Sequence, residues 1–193
     1  MLRMVHLEEI KELLFLVPGF IDRLEKKEAG IVSEINDWLK KMEKALTNNR
    51  LPLASGVATF RGTLNSAEQG VIPAGISIHG RITKRKIKEA SAVFVLHKTN
   101  EIISNTIQED IARFNEAENL AQQMVAVANA KGAIPVKHCE IDNTQYLKHI
   151  WRNLLADPEL SPGTVRLEGL IGPHDSLAVL DRVLTVFAKQ NDP

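Results

Sequence analysis

The 193-residue chain has a single cysteine, Cys139, so no disulfide can form within it. A fold stapled by sulfur is excluded, and with nothing to gain from an oxidising compartment the protein is expected in the cytoplasm. Long apolar runs are missing as well. The longest near the N-terminus, Leu13 to Val17, is five residues, against roughly 20 for a bilayer span. Arg3 is followed by Glu8, Glu9 and Glu12 where a secretory signal needs an uncharged core. The sequence therefore predicts no leader, no span and no membrane partner. An excess of one charge is also lacking, since Lys+Arg and Asp+Glu both total 24. With no net charge there is no global field to draw the chain to a polyanion, so such binding must come from a local patch.

Several chemical signatures are absent in turn. No G-x-G-x-x-G or G-x-x-x-x-G-K-[ST] pattern occurs, so the common nucleotide-binding loops have no support. The C-x-x-C and H-x-x-x-H spacings of zinc sites are missing, as are the paired Glu-x-x-His motifs of a di-iron bundle. His138 and Cys139 are adjacent, so their side chains diverge in a helix or strand, and an activated thiol needs a base and an orienting third group. No cofactor, no metal site and no catalytic residue is assigned on this basis.

What the chain does have is ordinary globular composition, 44% hydrophobic and 25% charged, with apolar residues at helical spacing over most of its length. Leu7, Ile10, Leu14 and Val17 share a stripe that ends at Pro18-Gly19, and Phe20, Ile21 and Leu24 continue it briefly. Ile31, Ile35, Leu39, Met42 and Leu46 define a clear helix that ends at Asn48-Asn49, ahead of Pro52. Residues 51–80 hold five of the eleven glycines and read as a glycine-rich connector. Val57, Phe60 and Leu64 leave room in it for a short helix from Ser55 to Gln69. Small residues on another side of that helix (Ser55, Thr59, Gly62, Thr63, Ser66) would admit a neighbouring backbone.

Between Gly80 and Gly132 lie 51 residues with no glycine and no proline, far longer than the usual helix of ~11–12. The spacing predicts one helix over about 83–131, ~70 Å long at 1.5 Å per residue, with poorer helix formers at Thr99 and Asn100 marking a possible kink. Steps of three and four from Val93 give Leu96, Asn100, Ile103, Ile107, Asp110, Phe114, Ala117, Ala121, Met124 and Ala128. That is the 3.5-residue seam of a coiled coil or long bundle, and Asn100 inside it is of the kind that fixes register. Gly132 is a natural stop. Beyond it, Asp142 is placed to cap a helix carrying Leu147, Ile150, Trp151, Leu154 and Leu155. Residues 157–173 read as a Pro/Gly-rich connector, and Asp175 caps a last helix with Leu177, Leu180, Leu184 and Phe187 on its core face.

The expected fold is thus all-α: a single helical domain over 1–193, a bundle of about five or six helices around one very long central helix. Its most noticeable polar feature is a basic cluster, Arg81, Lys84, Arg85, Lys86 and Lys88, with no acid until Glu89. Cations at a helix N-terminus oppose the macrodipole, at a few tenths of a kcal/mol per exposed group, so helix stability does not account for them. Clustered Lys and Arg suit a phosphate-bearing or acidic partner, although no aromatic is interleaved for base stacking. His97 with Glu101, and Asp142 with Tyr146, His149 and Asn153, share helical faces but fit solvated surface as well as any site. The leading expectation is a non-enzymatic helical interaction or assembly module that binds a protein partner or self-associates through the long helix. Nucleic-acid binding through residues 81–88 is the alternative. An enzyme of unknown reaction, whose polar groups converge only in three dimensions, is the third.

Overall fold

A computed structural model of the chain describes residues 2–78, 80–134 and 143–191. Among them there is no strand, and the fold is all-α. The helices are α1 (Met4–Phe15), α2 (Val17–Glu25), α3 (Ile31–Asn48), α4 (Ala54–Glu68), α5 (Lys84–Ala130), α6 (Asn143–Ala156), α7 (Ser161–Ile171) and α8 (Pro173–Asn191). Eight described helices exceed the expected five or six for two reasons. The N-terminal stripe is split at Leu16, and both glycine-containing connectors hold a helix. The chain divides into two compact units, one of Leu2 and residues 4–108, the other containing Arg3 and residues 109–193.

In the first unit α3 is the central element. Ile31, Ile35, Leu39, Met42 and Leu46 are buried as their i, i+4 spacing predicts, and Trp38 and Ala45 widen the buried face. Trp38 donates its indole N–H to the Leu13 carbonyl at the end of α1, at 2.8 Å. Its ring meets Phe20 of α2 edge-on at 5.9 Å, so one side chain ties three helices together. Pro18 lies in the first turn of α2, where a missing N–H costs nothing, and the stripe from Leu7 to Val17 is therefore shared by two helices rather than one. At the far end of α3, Arg50 takes φ 54° and the Leu51 N–H returns to the Leu46 carbonyl, a left-handed C-terminal cap.

The segment 51–80 is helical over its first half, since Val57, Leu64 and Ala67 are buried in α4. Its small residues do not receive a neighbouring backbone. A methyl group built on Gly56 or Gly62 would meet nothing within 4 Å, and the hydroxyls of Thr59, Thr63 and Ser66 donate back to the carbonyls four residues earlier. Polarity explains the difference, because those hydroxyls are satisfied facing water while Val57 and Leu64 are not. A turn with a Pro73 carbonyl to Ile76 N–H bond follows, with Gly75 at φ 85°.

In the second unit α6, α7 and α8 pack on one another, and α7 and α8 meet the later part of α5. Residues 157–173, expected as a connector, contain α7. Pro162 sits in its first turn, where proline is tolerated, and Leu160, Thr164, Leu167 and Ile171 are buried at helical spacing. Val165, two residues before the buried Leu167, falls on the opposite side of the helix and is 63% exposed. Gly163 marks the close approach: a methyl group there would stand 2.9 Å from the Met124 sulfur on α5. Helix α8 starts two residues before Asp175, and its buried face is Ser176, Val179, Leu180 and Val183. Leu177, Leu184 and Phe187 are half-buried beside it.

Helix α5 runs unbroken from Lys84 to Ala130, through Thr99 and Asn100. The Thr83 hydroxyl accepts the Lys86 N–H at its start. At its end Gly132 takes φ 68° and the Ala133 N–H bonds the Ala128 carbonyl, the Schellman arrangement that glycine favours.

Candidate functional site

The seam residues of α5 are mostly interior. Leu96, Ile103, Ile107, Phe114, Ala117, Ala121, Met124 and Ala128 are buried within the chain. Three positions are not buried with the rest. Val93 is exposed, and Asn100 and Asp110 are only half-buried. In place of Val93 and Asn100, Ile87, Ser91, Val95 and Thr99 are buried and lead into Ile103 and Ile107 at a constant spacing of four. Each step of four advances about 40° round a straight helix of 3.6 residues per turn, so the covered face winds round α5 towards its N-terminus and leaves Val93 outside it. The polar residues inside the face are accordingly Ser91 and Thr99, not Asn100. The Thr99 and Ser91 hydroxyls have no hydrogen-bond partner among the described residues.

The basic cluster lies at the other surface. Arg81, Lys84, Arg85 and Lys86 are exposed and Lys88 is half-buried. Arg85 donates from Nε to Glu89 at 2.7 Å and reaches the Lys27 carbonyl at 3.5 Å. An exposed i, i+4 pair of that kind contributes little. Among the described residues, Arg81, Lys84 and Lys88 have no carboxylate within ion-pair distance. The non-helical chain between α4 and α5, the end of the expected connector, carries apolar side chains that the expectation did not include. Val71 and Ile82 are each 54% exposed and Ile72 is 41% exposed. Lysines lie over both ends of this loop. A methyl group on Gly70 would touch the Lys84 methylenes at 3.5 Å, and one on Gly80 would stand 3.7 Å from the Lys86 ammonium. The usable sequence signal was an apolar loop abutting a run of cations.

The remaining polar candidates do not converge. Glu101 pairs with Lys98 at 2.8 Å and not with His97. His149 is exposed, Asn153 donates to the Ala133 carbonyl, and burial raises the Tyr146 phenol above its ordinary value. Asp142, His138 and Cys139 lie outside the described residues. Among the described residues no three His, Cys, Asp or Glu side chains are grouped as metal ligands.

Two concavities are lined by residues outside the basic cluster. In the first unit a groove of about 260 Å³ is lined by Leu16, Phe20, Trp38, Glu34, Asp37 and Lys41. Its acids are engaged. Bonded to Arg23 at 2.7 Å, Glu34 is held below the usual carboxylate range, and Lys40 does the same to Asp37. In the second unit Gln122, Val183, Val186 and Phe187 line a hollow of about 170 Å³. Neither holds the unengaged ionisable pair that acid–base chemistry requires. No family model, curated protein or solved structure matches the chain.

Proposed function

We propose that the chain is a non-enzymatic interaction module, and that Arg81, Lys84, Arg85, Lys86 and Lys88 are its contact with a polyanionic partner. The observation that carries this reading is the exposure of Arg81, Lys84, Arg85 and Lys86, with Lys88 half-buried beside them, at a helix start that positive charge does not stabilise. They stand at the positive end of the α5 dipole, and three of the five have no carboxylate partner among the described residues. Apposed phosphates or carboxylates would relieve that local repulsion and release bound counterions.

Duplex DNA and heparin serve as probes, titrated in fluorescence anisotropy at about 50 and 200 mM salt. Salt-sensitive binding is expected, weakened at least ~10-fold when Lys84, Arg85, Lys86 and Lys88 are all changed to Ala. Equal binding by the quadruple variant, or no binding to either probe, would overturn the reading.

Assembly of copies through the α5 seam is the weaker reading. Its side chains from Leu96 to Ala128 already have neighbours within the chain, and a second copy would have to displace them.

A further inference from the structure

We infer that residues 69–78 and 80–88 form a peripheral contact for an anionic lipid bilayer surface. This deepens, and rests on, the reading of residues 81–88 as the partner contact. The sequence from 69 to 88 contains twenty residues, five of them Lys or Arg, and no Asp or Glu. Its exposed apolar side chains, Val71, Ile72 and Ile82, belong to the same run of chain as its cations. The lysines are laid against it, Lys84 over Gly70 next to Val71 and Lys86 beside Gly80.

A nucleic acid would use the cations and gain nothing from Val71, Ile72 and Ile82, because aliphatic side chains offer no ring for a base to stack on. A bilayer interface uses both kinds of group. Branched aliphatic side chains enter the boundary between headgroups and acyl chains, while lysine and arginine reach anionic headgroups from just above. The depth is limited by the backbone. The turn from Pro73 to Ile76 makes one internal hydrogen bond and the Val71 N–H reaches the Ser66 carbonyl, but any peptide group of an irregular loop without such a bond needs water or headgroups, so the hydrocarbon core is closed to it. Such a contact requires no spanning helix, and no described helix is long and apolar enough to cross a membrane.

The test is sedimentation of the full chain with vesicles of phosphatidylcholine, or of phosphatidylcholine and phosphatidylserine at about 70:30. Three proteins are compared: the parent chain, the quadruple Ala variant of Lys84, Arg85, Lys86 and Lys88, and a triple variant with Val71→Ser, Ile72→Ser and Ile82→Ser. All substituted apolar positions are exposed, and far-UV circular dichroism checks that the helices persist. The parent chain is expected to bind the serine-lipid vesicles, to bind the neutral ones at least ~10-fold more weakly, and to lose affinity as salt rises. The quadruple variant should lose ~10-fold or more and the triple variant roughly 10-fold.

If the triple variant binds like the parent, the apolar half of the contact is overturned and with it the bilayer assignment. If heparin or DNA binds and vesicles do not, the bilayer inference fails while the polyanion reading stands. If an acidic polypeptide binds with loss in both variants and vesicles do not, the partner is a protein and the inference is again overturned. If nothing binds, both readings fall together.

Discussion

Asp157 shows how one side chain organises a connection. Its carboxylate accepts the Lys131 ammonium at 2.8 Å and the Glu159 N–H at 2.8 Å, while its carbonyl accepts the N–H groups of Leu160 and Ser161 at the start of α7. Lys131 also reaches Glu159, at 2.6 Å. The Lys131 hydrogen bond is the main cause that holds Asp157 below the usual carboxylate range, and Asp157 in turn raises Lys131. The signs give a pH window. A lowered carboxylate contributes stability above its unfolded value, near ~3.9, and loses it as pH falls through the folded value. A raised amine contributes below about 10.4 and loses it as pH climbs through the folded value. Lys131→Met should therefore lower the thermal midpoint at neutral pH by an amount that is steady from about pH 5 to 9 and closes as pH falls below the ordinary carboxylate range. Thermal melts of the two proteins across that range check it, and a gap that persists in acid would mean that Lys131 acts through packing.

At the level of elements, the two glycine-bearing helices separate propensity from contact. Gly62 sits in α4 with negative φ and open space around it, so Gly62→Ala should stabilise by about 0.5–1 kcal/mol. Gly163 in α7 faces a buried Met124 at a distance no added carbon can share. There Ala should cost about 1 kcal/mol or more despite its better propensity. Denaturant midpoints of the two variants should move in opposite directions. These helices also show where the sequence was legible. The amphipathic face of α3 and the whole extent of α5 followed from periodicity and from the glycine-free gap, because burial of an apolar stripe dominates their energetics. Helices α4 and α7 were half-hidden since glycine and proline lower intrinsic propensity, and tertiary burial of Leu64, Leu167 and Ile171 overrides that cost. The basic cluster was legible as a cluster. Its apolar companions were not, because neither the exposure of Val71 and Ile82 nor the placing of Lys84 over Gly70 follows from the local pattern.

For the molecule as a whole, zero net charge conceals an uneven distribution. Residues 69–88 carry five of the 24 cations and none of the 24 acids, so the rest of the chain holds 19 against 24 and is net −5. Self-repulsion between copies is small at neutral pH, and association would then depend on exposed apolar surface. The long seam is not such a surface, being buried within one chain. Light scattering should accordingly return the single-chain mass of 21.5 kDa across a wide concentration range. A dimer that dissociates when Ile103 and Ile107 are changed to Ala would show instead that the seam is shared between copies.

The acid-free stretch has one more consequence, and it concerns proteases. Arg81 lies in the non-helical chain just ahead of α5, exposed and free of a carboxylate partner among the described residues, and exposed loops are where nicking concentrates. Trypsin cuts after Lys and Arg, so the bond after Arg81 is open to it as it stands. The bonds after Lys84 to Lys88 become available only when the first turn of α5 unwinds. A partner seated on this surface covers its own reporter, and the rate of cutting after Arg81 reads its occupancy in the unaltered protein.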